Sequence, residues 1–253
     1  MFPVREGGTM AMAGALIAGA AVWGAGTGLL VPRAVYQLSV PAGEPWQTRC
    51  PRNHPLKQSA GGWIGLPRCP HDAVPLGPPA GVTAAVVAVV CAALAAATGW
   101  RPELAAWLLL VPAGAVLTLV DLAVQRLPHL LTLPAAGVAW VTLGVAALLP
   151  GHAGSWPHAA AGSLAFSGTL FALFLISPAA MGFGDVLLAL TAGAVLGWYG
   201  WTVLFLGAFL GFVLASLFGA LRRLGRRTAG AGSLIPLGPF LLAGALAGVL
   251  AAA

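Results

Sequence analysis

The chain has 253 residues, 59% of them hydrophobic and only 7% charged. A soluble domain carries about 25% charged residues, so there is too little charge here to clothe a water-facing surface, and a soluble globular protein is excluded. The net charge of +6 comes from residues lying between apolar runs, with no basic stripe and interleaved aromatics, which excludes a nucleic-acid partner and leaves the lipid bilayer as the partner of the apolar surplus.

A spanning helix needs about 20 mostly apolar residues. In chain order the runs of that kind are Met10–Val31, Ala80–Thr98, Glu103–Val120, Leu130–Leu149, His158–Ser177 and Ser233–Ala253. The first is longer than the apolar core of a signal peptide, and no small-x-small site ends it, so a retained anchor is expected. Between Met181 and Leu221 lie 41 residues whose single charge is Asp185. At 1.5 Å per residue that run is roughly 60 Å long, about two bilayer cores. It must therefore break, and the place for the break is Gly197-Trp198-Tyr199-Gly200. The expected fold is all-α, a polytopic membrane protein of about eight transmembrane helices. Its expected organisation is a first span at 1–31, a polar loop at 32–79 and a seven-helix region at 80–253.

Lys and Arg set the orientation. With the N-terminus outside, the inner loops hold Arg33, Arg49, Arg52, Lys57, Arg68, Arg126, Arg222, Arg223, Arg226 and Arg227, and the outside keeps Arg5 and Arg101. This bias places Pro32–Pro79 and the loop after Leu221 in the cytoplasm. Arg222, Arg223, Arg226 and Arg227 read as an anchor near anionic lipid. His152 and His158 flank Trp156 in an outer loop and read as interfacial, and Cys91 reads as a small core residue.

Six residues are acidic. Glu6, Glu44 and Asp72 lie in polar segments, and Glu103 starts a helix after Pro102, where a carboxylate suits the dipole. Asp121 and Asp185 each adjoin an apolar span at the same face. Taken singly, the first could end a helix beside Arg126 and the second could cap one. As a pair they are candidates for chemistry, because an ionisable group at membrane depth is costly to keep. Gly182 and Gly184 precede Asp185 and allow a backbone to approach it closely, as an extended peptide substrate would require.

Three segments carry a resemblance. Asp121 is followed seven residues later by Pro128 and then Leu131-Thr132-Leu133-Pro134; Gly182-x-Gly184-Asp185 opens a later span; Ile235-Pro236-x-Gly238-Pro239-Phe240 lies near the C-terminus. In this order and spacing they resemble the prepilin peptidase (type IV leader peptidase) family of GxGD-type intramembrane aspartyl peptidases. The resemblance implies Asp121 and Asp185 as catalytic residues, with Gly182, Gly184 and Pro128 beside the substrate. It implies prepilin or pseudopilin precursors as partners, cleavage at the cytoplasmic face of a bacterial inner membrane, and no cofactor for proteolysis. Two positions depart from the family pattern: Leu187 stands where Lys is usual, and His129 where Asp or Asn is. The competing classes are a proton-coupled transporter, against which no internal repeat is found, and a non-catalytic pilus or secretion assembly protein.

Members that also methylate the new N-terminus carry two Cys-x-x-Cys pairs in the first inner loop. Here Cys50 and Cys69 keep the first Cys of each pair and the second is lost. A structural zinc site needs four ligands, and His54 and His71 stand next to the lost positions. The expected ligand set is Cys50, His54, Cys69 and His71, the alternative being a loop without metal. Methyl transfer is not expected.

Overall fold

The computed structural model describes residues 6–41, 43–56, 65–178, 181–225 and 236–253. Arg5, Lys57, Arg226, Arg227 and Ile235, on which parts of the orientation and motif readings rest, lie outside them. The described residues form α1 (Glu6–Gly28), α2 (Val31–Leu38), α3 (Ala80–Thr98), α4 (Leu104–Val124), α5 (His129–Leu148), α6 (Trp156–Ile176), α7 (Phe183–Trp198), α8 (Trp201–Gly225) and α9 (Gly238–Ala252). No strand is found among them, only two isolated bridges, Arg49–Pro55 and Arg68–Pro75.

Six of these helical stretches are long and apolar enough to cross a membrane, and α7 and α9 are shorter apolar helices. The chain is an all-α, multi-pass membrane protein. The long run after Met181 breaks where two bilayer thicknesses require it. Helix α7 ends at Trp198, and Gly200 adopts φ 107° before α8 begins. That backbone is free of a Cβ penalty only for glycine. Helix α4 continues past the expected Val120 because Leu122-Ala123-Val124 remain good helix formers. It stops at Gln125, whose φ is 52°. The polar segment does not begin as loop. Pro32 sits in the first turn of α2, where its missing N–H costs nothing, and α2 buries Val31, Val35 and Leu38.

The chain divides into two compact units, Met1–Val116 and Leu117–Ala253. In the first, α1 packs along α3 through small residues. A Cβ on Gly24 would lie 2.7 Å from Val87 O, and one on Gly28 2.7 Å from Ala84 Cα. Close backbone approach of this kind is how helices associate where lipid gives no hydrophobic drive. Thr83 Oγ1 donates to Gly28 O at 3.0 Å across the same seam, and Trp23 Nε1 donates to Leu108 O at 2.9 Å.

In the second unit α7 is the central helix, with α5, α6, α8 and α9 packed on it. Its residues from Leu188 to Trp198 are buried almost throughout, and Leu170, Leu188, Leu196 and Leu241 lie in the surrounding core. Side-chain hydrogen bonds tie α6 to α7 and to α5. Ser163 Oγ donates to Leu190 O at 2.7 Å, Ser167 Oγ to Val186 O at 2.9 Å, and Trp140 Nε1 to Ser163 Oγ at 3.0 Å. The large side chains that stay exposed, among them Phe205, Leu206 and Phe209 on α8, are those a lipid-facing surface needs.

Candidate active site

The last turn of α4 carries Asp121. The helix is apolar before and after it, so the carboxylate is held in a nearly dry place and is 4% exposed. Its main-chain carbonyl accepts the Gln125 N–H at 2.8 Å, which closes the helix. Its Oδ2 accepts the Gly238 N–H at 3.0 Å. Gly238 is the first residue of α9, so this N–H is one of the donors that a helix start leaves without an intrahelical partner. The glycine leaves room for that carboxylate. A Cβ there would lie 2.9 Å from Asp121 Oδ2 and 3.3 Å from both methyl carbons of Leu127.

Asp185 is the third residue of α7 and is 8% exposed. Its Oδ2 accepts the Gly182 N–H at 3.2 Å, and its own N–H donates to Gly182 O at 3.1 Å. The carboxylate thus folds back over the helix start, where partial positive charge gathers. Its Oδ1 is buried and accepts no hydrogen bond from the described residues. Such an oxygen is uncommon enough in a folded protein to call for a reason, and a catalytic role is one.

Both acids lie in the second unit, where Leu127 packs against Gly184 beside Asp185 and against Gly238 beside Asp121. Leu127 lies between the segments that carry them. A Cβ on Gly184 would meet Leu127 Cβ at 2.6 Å and Leu127 O at 3.0 Å, while the Leu127 methyls face Gly238. Leu127 therefore spaces the starts of α7 and α9, a role that no short motif around it announces. Gly238 belongs to the third segment read from the sequence, but its contact with Asp121 spans 117 positions.

Pro128, expected beside the substrate, is buried and is the N-cap of α5. Its carbonyl accepts the Thr132 N–H at 3.1 Å and the Thr132 hydroxyl at 3.4 Å. The next residue, His129, lies edge-on to Phe183 with ring centroids 6.0 Å apart, and Phe183 also meets Phe171 and Phe174. A groove of about 570 Å³ runs along Leu122, Ala123, Val124, Gln125, Phe218, Arg222 and Pro236, bordering the turn that follows Asp121. His152 lies in the turn between α5 and α6, with Nδ1 2.9 Å from Gly154 O. Cys91 is fully buried.

The first unit holds a separate cluster. Donor atoms of Cys50, His54, Cys69 and Asp72 lie within 4.8 Å of one another. Three of the four expected metal ligands converge, and the fourth donor is Asp72 in place of His71. The turn after Cys69, with Ala73 at φ 54°, brings Asp72 inward. His71 is left exposed, its ring 5.2 Å from that of His54.

Residues 104–221 match the model of the type IV leader peptidase family. No curated protein and no solved structure matches the chain. The matched stretch contains both Asp121 and Asp185; the polar loop and the Gly238 segment lie beyond it. The match covers a little under half of the chain, and over that stretch the chain is similar to the type IV leader peptidases.

Proposed function

We propose that the chain is an aspartyl endopeptidase, with Asp121 and Asp185 as its catalytic pair. The observation that carries this reading is the pair itself. Two buried carboxylates lie in one unit, each accepts the backbone N–H of a glycine, and Asp185 Oδ1 accepts no hydrogen bond from the described residues. Two close carboxylates do not both ionise readily and so share a proton. The ionised one takes a proton from water, whose oxygen attacks the scissile carbonyl carbon. The protonated one donates to the carbonyl oxygen as the tetrahedral intermediate forms. Collapse of that intermediate breaks the C–N bond, and the leaving nitrogen takes a proton from the pair. No cofactor enters these steps.

The substrate class is the prepilin-like precursor, whose short basic leader is cut from the hydrophobic helix that follows. The concentration of Lys and Arg in the loops on the side of Asp121 and Asp185 supports a cut at the cytoplasmic face of a bacterial inner membrane. The polar loop lacks half the thiolates that accompany methyl transfer in the family, so the chain removes the leader without methylating the product. Co-expression with a prepilin precursor tests the mechanism by the gel shift of leader removal. Asp121→Asn and Asp185→Asn should each abolish the shift while the protein remains in the membrane fraction. Near-normal processing by either variant would sink the mechanism.

A further inference from the structure

The polar loop carries a second group of chemistry-bearing side chains, distinct from Asp121 and Asp185. After α2 its described residues include two short hairpins, each with a cysteine at its mouth. In the first, Cys50 N–H donates to His54 O at 2.9 Å and the turn passes through Asn53 at φ 68°; in the second, Cys69 N–H donates to Val74 O at 2.9 Å and the turn passes through Ala73. Alanine gains nothing locally from the left-handed region, so something beyond the turn must hold it. The apolar content cannot. The core between the hairpins is Cys50, Leu56, Cys69 and Leu76, with Tyr36 and Val74 against it. A segment of this size needs a staple.

The donor atoms supply the place for one. His54 Nδ1 is 3.6 Å from Cys50 Sγ, 3.9 Å from Cys69 Sγ and 3.5 Å from Asp72 Oδ2. Tetrahedral zinc, with bonds of about 2.3 Å to sulfur and about 2.0 Å to nitrogen and oxygen, separates its ligands by about 3.5 Å for S and N and about 3.3 Å for N and O. Asp72 is oriented for the task. Its Oδ1 accepts the Val74 N–H at 3.4 Å, while Oδ2 is turned toward His54. Arg52 Nε stands 3.5 Å from that same oxygen. It offsets the anionic charge that two thiolates and a carboxylate leave on a divalent ion, and so acts as an outer partner of the site.

We propose that the loop closes on one zinc-type ion through Cys50, His54, Cys69 and Asp72, with the carboxylate rather than His71 as fourth ligand. Four protein ligands complete the coordination sphere, so the ion serves as a cross-link between the hairpins. The site is independent of the peptidase reading, and metal content tests it without any cleavage assay. Full-length protein in detergent, dialysed against trace zinc, should retain one zinc per chain. Cobalt(II) in its place should give the intense visible bands of a tetrahedral site together with thiolate charge-transfer absorption. His71→Ala should keep both signals. Asp72→Asn should weaken zinc binding at least about tenfold. Asp72→His, which returns a fourth donor, should recover binding and so separate ligand loss from misfolding. Binding should also weaken as pH falls, because protons compete for the thiolates and the imidazole. Wild-type protein that retains no zinc overturns the site. Loss of metal in His71→Ala, or full retention in Asp72→Asn, overturns the assignment of Asp72.

Discussion

Replacing Gly238 with alanine separates the chemistry of the acid pair from the packing around it. The new Cβ would sit 2.9 Å from Asp121 Oδ2 and 3.3 Å from the Leu127 methyls. All three atoms are ends of side chains, so the fold can yield a few tenths of an ångström at little cost. The atom that must move, however, is the oxygen that accepts the Gly238 N–H at 3.0 Å. A hydrogen bond to a charged group contributes about 1.5–3 kcal/mol, so its loss from the reactive geometry should lower kcat/KM about ten- to 150-fold. Thermal stability in detergent should stay near wild type. Gly184→Ala is the contrast. There the Cβ would meet Leu127 Cβ at 2.6 Å and its backbone oxygen at 3.0 Å, which cannot swing aside, so stability and activity should fall together. Gly168→Ala, with open space around it, should change neither. The assay is cleavage of a purified precursor by detergent-solubilised protein, read as initial rates. A wild-type rate in Gly238→Ala would refute the claim that this N–H positions Asp121.

Orientation is open to labelling. Cysteines introduced at Leu66 and Leu224, which are 74% and 80% exposed, should resist a membrane-impermeant thiol reagent added to intact cells and react after lysis; labelling from outside would reverse the topology. Ser163→Ala removes a donor to Leu190 O and the acceptor of Trp140 Nε1. Interhelical hydrogen bonds in membranes average about 0.6 kcal/mol, so it should cost roughly 1 kcal/mol in a detergent unfolding titration, and a cost of several would show that α6 and α7 depend on this residue far more than assumed. A mature pilin incubated with the protein and S-adenosylmethionine should gain no methyl group by mass spectrometry; a gain of one methylene would show that the shortened loop still supports transfer.

The spans were legible because run length and hydropathy decide them. Ala80–Thr98 coincides with α3, and the break near Gly200 follows from bilayer thickness alone. Helix α2 was not legible. It is eight residues long, contains Arg33 and Gln37, and is buried through packing that the sequence does not advertise. Asp121 and Asp185 stood out because a charge in an apolar run is rare. Their hydrogen-bond partners did not, since Gly238 reaches Asp121 across 117 positions. The choice between His71 and Asp72 turned on a left-handed alanine, which residue identity does not foretell.

The same contacts bear on the missing lysine. Leu187, two residues after Asp185, is only half-buried and offers no positive charge. Among the described residues, the hydrogen bonds to the two carboxylates come from the main chain. Each acid has one backbone donor among the described residues, and each donor lies at a helix start: Gly182 before α7 and Gly238 at the head of α9. Helix starts present partial positive charge that does not move or exchange with water. Fixed dipoles aimed at a reacting group need no reorganisation as charge shifts during the reaction, whereas a lysine on a flexible stem must be ordered first. Glycine at both places follows from this design, because the donors must come close to the carboxylates and a side chain at Gly238 would stand in the way. The loss of a lysine two residues after Asp185 therefore leaves intact the part of the site that holds the two carboxylates. Its consequence should fall on what the lysine's charge would touch outside the pair, the substrate first.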